Sequence, residues 1–242
     1  MISRAQVKRI RSLHQKKYRD EYGLFIAEGP KVVMDLLHSR FKAEELFATE
    51  EFVLRNNSLS ASVVSEKELE NISAQSTPNQ VVGVFAIPSG SADLKLLRNK
   101  LVLGVDDIRD PGNLGAIIRI ADWFGISDLL CSENCVDTYN PKTVQAAMGS
   151  LARVAVHTVN LKQALAGFGK VYGAVMSGKS IYEENLSSSG LILIGNESRG
   201  LSEEILECVT DRISIPGFSN GADSLNAAMA AAVICSEFRR RK

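Results

Sequence analysis

Histidine is scarce in this chain. His14, His38 and His157 are the 3 histidines among 242 residues. They are too scattered to form a zinc-binding pair or to complete a Ser-His-Asp set, so neither chemistry is expected. Cysteine is nearly as rare. Cys131, Cys135, Cys208 and Cys235 are irregularly spaced, and Cys131-Ser-Glu-Asn-Cys135 has the wrong spacing for a zinc knuckle. Free thiols in a reducing compartment are expected instead, with no metal. No apolar run approaches the ~20 residues of a membrane span; the longest candidate, 227–235, is short and mostly alanine. The amino-terminal stretch lacks the apolar segment of a signal peptide, so the expected location is the cytoplasm. The net charge is +0, and overall charge therefore carries no nucleic-acid signal. Internal repeats and low-complexity segments are also lacking.

What is there fits a soluble globular protein. Hydrophobic content of 45% and charged content of 23% are ordinary for one, and a chain this long can bury a core without staples. Charge is unevenly spread. Arg4, Lys8, Arg9, Arg11, Lys16, Lys17 and Arg19 precede the first acid. Such a cluster can neutralise phosphates, and it is read here as facing RNA. The second cluster, Arg239-Arg-Arg-Lys242, is equally readable as an RNA contact or a frayed tail.

A breaker-rich stretch, Ile87-Pro-Ser-Gly-Ser-Ala92, marks an expected boundary between domains over 1–90 and 98–242. Before it, a basic helix is expected over 3–19 and strands near 24–27, 45–48, 61–64 and 81–87. Pro30 is placed to open a helix whose stripe is Val32, Val33, Leu36 and Leu37. After it, apolar runs recur at 101–105, 128–131, 154–157, 171–176, 191–194 and 212–215, with helical patterns between several of them. That alternation predicts an α/β fold with a parallel sheet.

Three of these runs lead into a turn of small and polar residues and then a helical pattern. They begin at Leu101, Leu191 and Ile213. Open α/β sheets bind ligands beyond the carboxyl ends of their strands, so the three loops can converge on one site. They offer Asn113, Arg119, Asn196, Glu197, Ser224 and Asn226. In Asp110-Pro-Gly-Asn113 the asparagine suits a helix N-cap, and Gly125 suits that helix's end. Read as residues alone, Asn113 is a plain cap and Arg119 a surface charge. Asp223 or Ser224 would cap the last helix, and Ser202 suits the cap of a helix over 201–208. Trp123 and Phe124 read as core. His14 lies in the basic helix, where it could meet RNA.

Asp110-Pro-Gly-Asn-Leu-Gly-Ala-Ile-Ile-Arg119, Gly195-Asn-Glu-Ser-Arg-Gly200 and Ile215-Pro…Ser224-Leu-Asn226 resemble, in order, the three motifs of the SpoU-TrmH family of RNA ribose 2'-O-methyltransferases. The resemblance implies a parallel-sheet methyltransferase domain with a carboxyl-terminal trefoil knot, preceded by a small α/β RNA-binding domain similar to ribosomal RNA-binding proteins. Chain topology alone would predict no knot. The resemblance further implies S-adenosylmethionine as cofactor, a homodimer, and structured RNA as substrate, ribosomal RNA ahead of tRNA. It assigns Asn113, Arg119, Glu197, Ser224 and Asn226 to catalysis, and Met176, Gly195, Ile215 and Leu225 to the cofactor. Gly217 departs from the family, which usually carries a bulky apolar residue there.

Two other functions compete. One is an RNA-binding protein of the same fold without catalysis, which the motif residues argue against. The other is a nucleotide triphosphatase, because Gly173-Ala-Val-Met-Ser-Gly-Lys-Ser180 matches the P-loop expression. Its first glycine sits inside an apolar run, so the expected strand overruns the loop.

Overall fold

A computed structural model of the chain describes residues 2–57, 59–90, 93–218 and 224–240. In chain order the elements are α1 (Arg4–Ser12), α2 (Lys16–Tyr22), β1 (Leu24–Glu28), α3 (Pro30–Leu37), β2 (Ala43–Ala48), α4 (Glu50–Arg55), β3 (Ser62–Val63), α5 (Glu66–Glu70) and β4 (Val81–Ala86). Then follow α6 (Leu94–Leu97), β5 (Leu101–Val105), α7 (Pro111–Trp123), β6 (Asp128–Ser132), α8 (Pro141–Ala146), a 3-10 turn (Ser150–Ala152), β7 (Ala155–Val159) and α9 (Leu161–Leu165). The chain closes with β8 (Val171–Ser180), β9 (Gly190–Ile194), α10 (Glu203–Leu206), β10 (Asp211–Ser214) and α11 (Ala227–Arg240). They form two compact units, Met1–Gly90 with Asp137–Ala152, and Ser91–Val136 with Arg153–Lys242.

The first unit holds a four-stranded sheet in the order β1-β4-β2-β3. β4 is antiparallel to β1 and β2, and β3 is parallel to β2. Ile10, Leu13, Ile26, Phe47, Leu69 and Val84 build its core, each burial stabilising by roughly 1.5–3 kcal/mol. α3 opens at Pro30 as expected, after Gly29 with φ 88°.

The single basic helix expected over 3–19 is two helices. Leu13 ends the first by turning into the core, only 1% exposed. Arg19 reaches back from the second and donates to the Leu13 carbonyl (2.7 Å), while its other nitrogens donate to Asp137 (2.5 and 2.8 Å). The segment 137–152 is anchored here further by Tyr139, whose ring centroid is 4.7 Å from that of Phe25, and by Gln75 donating to Gln145 (2.9 Å).

The second unit holds six parallel strands in the order β10-β8-β9-β5-β6-β7. β5, β6 and β9 are buried at every residue, which is why they read as continuous runs. Because all six are parallel, their carboxyl ends share one edge. The loops after β5, β9 and β10 all leave from it.

β8 is longer than its apolar run suggested. Tyr172 and Gly173 pair with Asp211 and Arg212, and Lys179 and Ser180 pair with Ile213 and Ser214, with an irregularity between. The P-loop-like residues are therefore strand, and Lys179 lies 3.6 Å from Glu184. No loop cradles a phosphate there. Among the described residues, no helix is long and apolar enough to cross a membrane.

Candidate functional site at the carboxyl edge of the parallel sheet

The first loop runs from β5 into α7. The N-cap is Asp110, whose carboxylate accepts from the Asn113 backbone N–H (2.7 Å), with Pro111 in the first turn. Asn113 therefore does not cap, contrary to the sequence reading. Proline takes the position that needs no N–H, and the cap moves one residue before it. That displacement frees the Asn113 side chain, whose Nδ2 donates to Glu197 Oε1 at 2.5 Å.

At the other end of α7, Gly125 (φ 64°) donates to the Asp122 carbonyl and Ile126 to that of Ala121, the paired bonds of a left-handed helix stop. Arg239 of α11 adds donors to the Phe124 and Gly125 carbonyls (2.6 and 2.9 Å). Arg239 and Arg240, the latter paired with Glu237 (2.8 Å), are thus tied into the fold. Arg241 and Lys242 lie outside the described residues.

Arg119 is exposed on α7 and has no hydrogen bond or ion pair among the described residues. Trp123, one helical turn on, is 85% exposed, not core. Its helix buries the opposite stripe of Leu114, Ile117, Ile118 and Ala121, leaving the tryptophan on the outward side. Phe124 is half-buried.

The second loop is tightly built. Asn196 and Gly200 exchange backbone hydrogen bonds, and the Asn196 amide donates to the Asp107 carbonyl (2.9 Å). A Cβ on Gly195 would fall onto the backbone of Gly200 and Leu201. The glycine is therefore required by the loop's own crossing.

Ser202 stands at the N-cap position of α10, which begins later than expected, at Glu203, yet its side chain does not cap. Its backbone N–H and hydroxyl both donate to Asp106 Oδ2 (2.9 and 2.8 Å). Asp106 is 5% exposed. It is a residue the sequence reading missed, and its signal was an acid directly ending an apolar strand. Asp107 beside it adopts φ 54° and pairs with Arg109 (2.8 Å), which raises the Arg109 pKa. Behind this loop the Cys135 thiol donates to the Val105 carbonyl (3.5 Å), and the neighbouring Cys131 thiol brings its pKa down to about 7.

The third loop is described up to Phe218 and again from Ser224. Asp223, offered as a cap, lies outside the described residues, and Ser224 does not cap. Asn226 does: its Oδ1 accepts from the Met229 N–H (2.8 Å) and its carbonyl from that of Ala230 (2.9 Å). Ser224 and Asn226 are exposed.

The three apolar side chains assigned to the cofactor from the motifs remain open around β8 and the third loop. Met176 is 76% exposed and Leu225 45%, and Ile215 is half-buried. Backbone amides and apolar side chains at strand ends suit an adenosyl group. Of the nine residues assigned from the motifs, the structure joins Asn113 to Glu197 by a direct bond. The others lie along the same edge or on the helices leaving it. In the first unit, His14 is occupied by the Ile72 carbonyl (3.3 Å) and Arg19 by Asp137, so neither faces outward as the basic cluster suggested. Among the described residues, no cluster of histidine, cysteine and carboxylates could hold a metal.

Residues 100–236 match the SpoU rRNA Methylase family, and residues 4–83 match the MRM3-like substrate binding domain. A 23S rRNA (guanosine(2553)-2'-O)-methyltransferase, RlmP, of Bacillus subtilis is 30% identical over 97% of this chain and 96% of its own. A solved structure from Porphyromonas gingivalis, described as a TrmH-family RNA methyltransferase, superposes with a TM-score of 0.90 at 38% identity, over 100% of both chains. An AdoMet-bound rRNA methyltransferase from Sinorhizobium meliloti superposes at 0.86 with 31% identity, over 100% of this chain and 97% of that one.

Proposed function

This chain belongs to the SpoU rRNA methylase family, and on that premise we propose that it methylates a ribose 2'-hydroxyl of ribosomal RNA with S-adenosylmethionine. The observation that carries the proposal is the Asn113–Glu197 bond, which ties two motifs 84 positions apart at the sheet edge where α/β proteins bind ligands.

When bound, the cofactor would supply an electrophilic methyl on a sulfonium; transfer would leave a neutral thioether and release the hydroxyl's proton to water. The chain's residues have three tasks. Met176, Ile215 and Leu225 cover the adenosyl group, with backbone at Gly195. Glu197 fixes the Asn113 amide and sets a carboxylate against the positive charges of the site. Arg119, exposed and without a partner among the described residues, clamps an RNA phosphate and orients the hydroxyl. Its guanidinium scarcely deprotonates, so it positions rather than acts as a base. Ser224 and Asn226 complete the site from the head of α11. Positioning of this kind supplies much of the rate in a transfer between two bound partners.

The first unit, matched to a substrate binding domain, grips the RNA with Arg4, Lys8, Arg11 and Lys17. The exposed Trp123 and Met229, on the two packed helices α7 and α11, support a homodimer. A trefoil knot around β8 and β10 is supported by Gly178, which runs against the backbone of Arg212 and Ile213 so closely that no side chain fits. The enzyme works in the cytoplasm, with its RNA.

Calorimetry with S-adenosylhomocysteine is expected to show saturable binding near one per subunit. Arg119→Ala should keep that binding and lose methylation of a large-subunit rRNA transcript by about 100-fold or more. Wild-type turnover in Arg119→Ala would remove the arginine from the mechanism. No cofactor binding by the wild-type chain would favour an RNA-binding protein without catalysis.

A further inference from the structure

A crevice of about 280 Å³ opens in the second unit. It lies where the loops after β5, β6, β7 and β9 meet, on the side of β5 away from β8 and β10. None of the nine motif residues lines it. Its volume is just below the roughly 300–1,000 Å³ of small-molecule sites.

The lining is divided by chemistry. Asp106 is buried, with Oδ2 committed to Ser202. Glu133 and Asn134 follow β6 and are exposed, with no hydrogen bond from either side chain among the described residues. Together they offer carboxylate and amide groups able to read the donor edge of a base. The cations Arg199 and Lys162 stand on other loops, where the exposed Glu204 also lines the crevice, and Arg109 shares the loop of Asp106. Arg199 is exposed and has no ion pair among the described residues, and Lys162 has only a distant one with Glu207 (3.6 Å). Arg109 is already paired with Asp107.

A lone phosphate would meet too many carboxylates here, and an uncharged base would leave the cations idle. A nucleotide satisfies both, with its base toward Glu133 and its phosphate toward Arg199 and Lys162. Proteins recognise single-stranded RNA by splaying out bases and bonding their edges. A carboxylate accepts from an exocyclic amino group such as that of cytosine.

We infer that this crevice binds one unstacked, amino-bearing nucleotide of the substrate RNA, next to the nucleotide that is methylated. Continuity carries the adjacency: Arg199 sits two residues beyond Glu197, and Arg109 directly before the α7 cap. The inference rests on the proposed function for its RNA, but the crevice can be tested without it.

The isotope-labelled full chain would be titrated with CMP, UMP and inorganic phosphate, with and without S-adenosylhomocysteine, and followed by amide NMR. CMP is expected to shift the amides of Glu133, Asn134 and Arg199. UMP, which lacks the amino group, should bind about tenfold more weakly. Equal effects from inorganic phosphate or UMP would overturn the inference, as would no shift at all. In the methylation assay, Lys162→Glu with Arg199→Glu should raise the KM for rRNA about tenfold or more, leaving S-adenosylhomocysteine affinity and Tm unchanged. An unchanged KM would also overturn it. If wild type methylates nothing, the proposed function fails while the NMR titration still decides the crevice.

Discussion

Single residues in this protein repeatedly hold two parts of the chain in register. Asp128, at the start of β6, accepts from Ser127 (2.7 Å), His157 (3.2 Å) and Lys100 (3.2 Å). The His157 contact, followed by those of Ser127 and Lys100, overcomes burial and holds its carboxyl well below the usual range. A depressed folded-state pKa means the stabilisation is present above the unfolded value, near 4, and is lost as pH falls below it. Asp128→Asn should therefore lose about 1–3 kcal/mol at neutral pH in denaturant melts. The gap to wild type should close on acidification. A gap independent of pH would mean that the site depends on shape and not on charge.

At the same scale, sequence and structure part most clearly over caps and pairings. Asn113 looked like a cap because it precedes the apolar stripe of α7. Only the fold shows that Pro111 moves the cap to Asp110 and turns the asparagine toward Glu197. Asn226 likewise doubles as a cap and a motif residue. The basic run hid that Arg19 is an interior ion-pair partner, because its acid, Asp137, lies 118 positions away. Long-range pairings leave no trace in local spacing.

Secondary-structure elements were more legible. The strands β5, β6 and β9 show as apolar runs, since strands buried on both faces cannot alternate. α3 and α7 are marked by proline near their starts, and Gly125 marks the stop of α7. The short helices α4 and α5, of 6 and 5 residues, offer too little periodicity to read. The basic helix was overextended because Leu13 carries no breaker signal. The motif loops are where element geometry meets function, and Gly195 is the sharpest case. Gly195→Ala should force the 196–200 turn away from β9 and cost about 1–3 kcal/mol. It should also lose S-adenosylhomocysteine binding in calorimetry. Normal binding with only a small stability loss would show that the loop can shift without harm.

At the level of the whole molecule, a break in composition at 87–92 was legible, and the opening segment of the first unit ends within it, at Gly90. The return of 137–152 to the first unit was not, because nothing in that segment's composition sets it apart. Trp123 was misread for a related reason: sequence assigns a large aromatic to the interior, and this one lies outside. Trp123 and Met229, each exposed on the packed helices α7 and α11, are where the proposed homodimer would be expected to join. Trp123→Glu is expected to shift the protein from dimer to monomer in light scattering, with little change in the monomer's circular dichroism. A species unchanged in mass would remove this face from the interface.

The bonds from Arg239 to the end of α7 also bear on timing. They span 115 and 114 positions, so during synthesis α7 emerges long before the side chain that closes its final turn. Until α11 docks, the helix carrying Arg119 keeps carbonyls that only water can satisfy. The helix that carries Arg119 therefore reaches its finished form among the last parts of the second unit, and a partly made chain carries the motif without the means to hold it still.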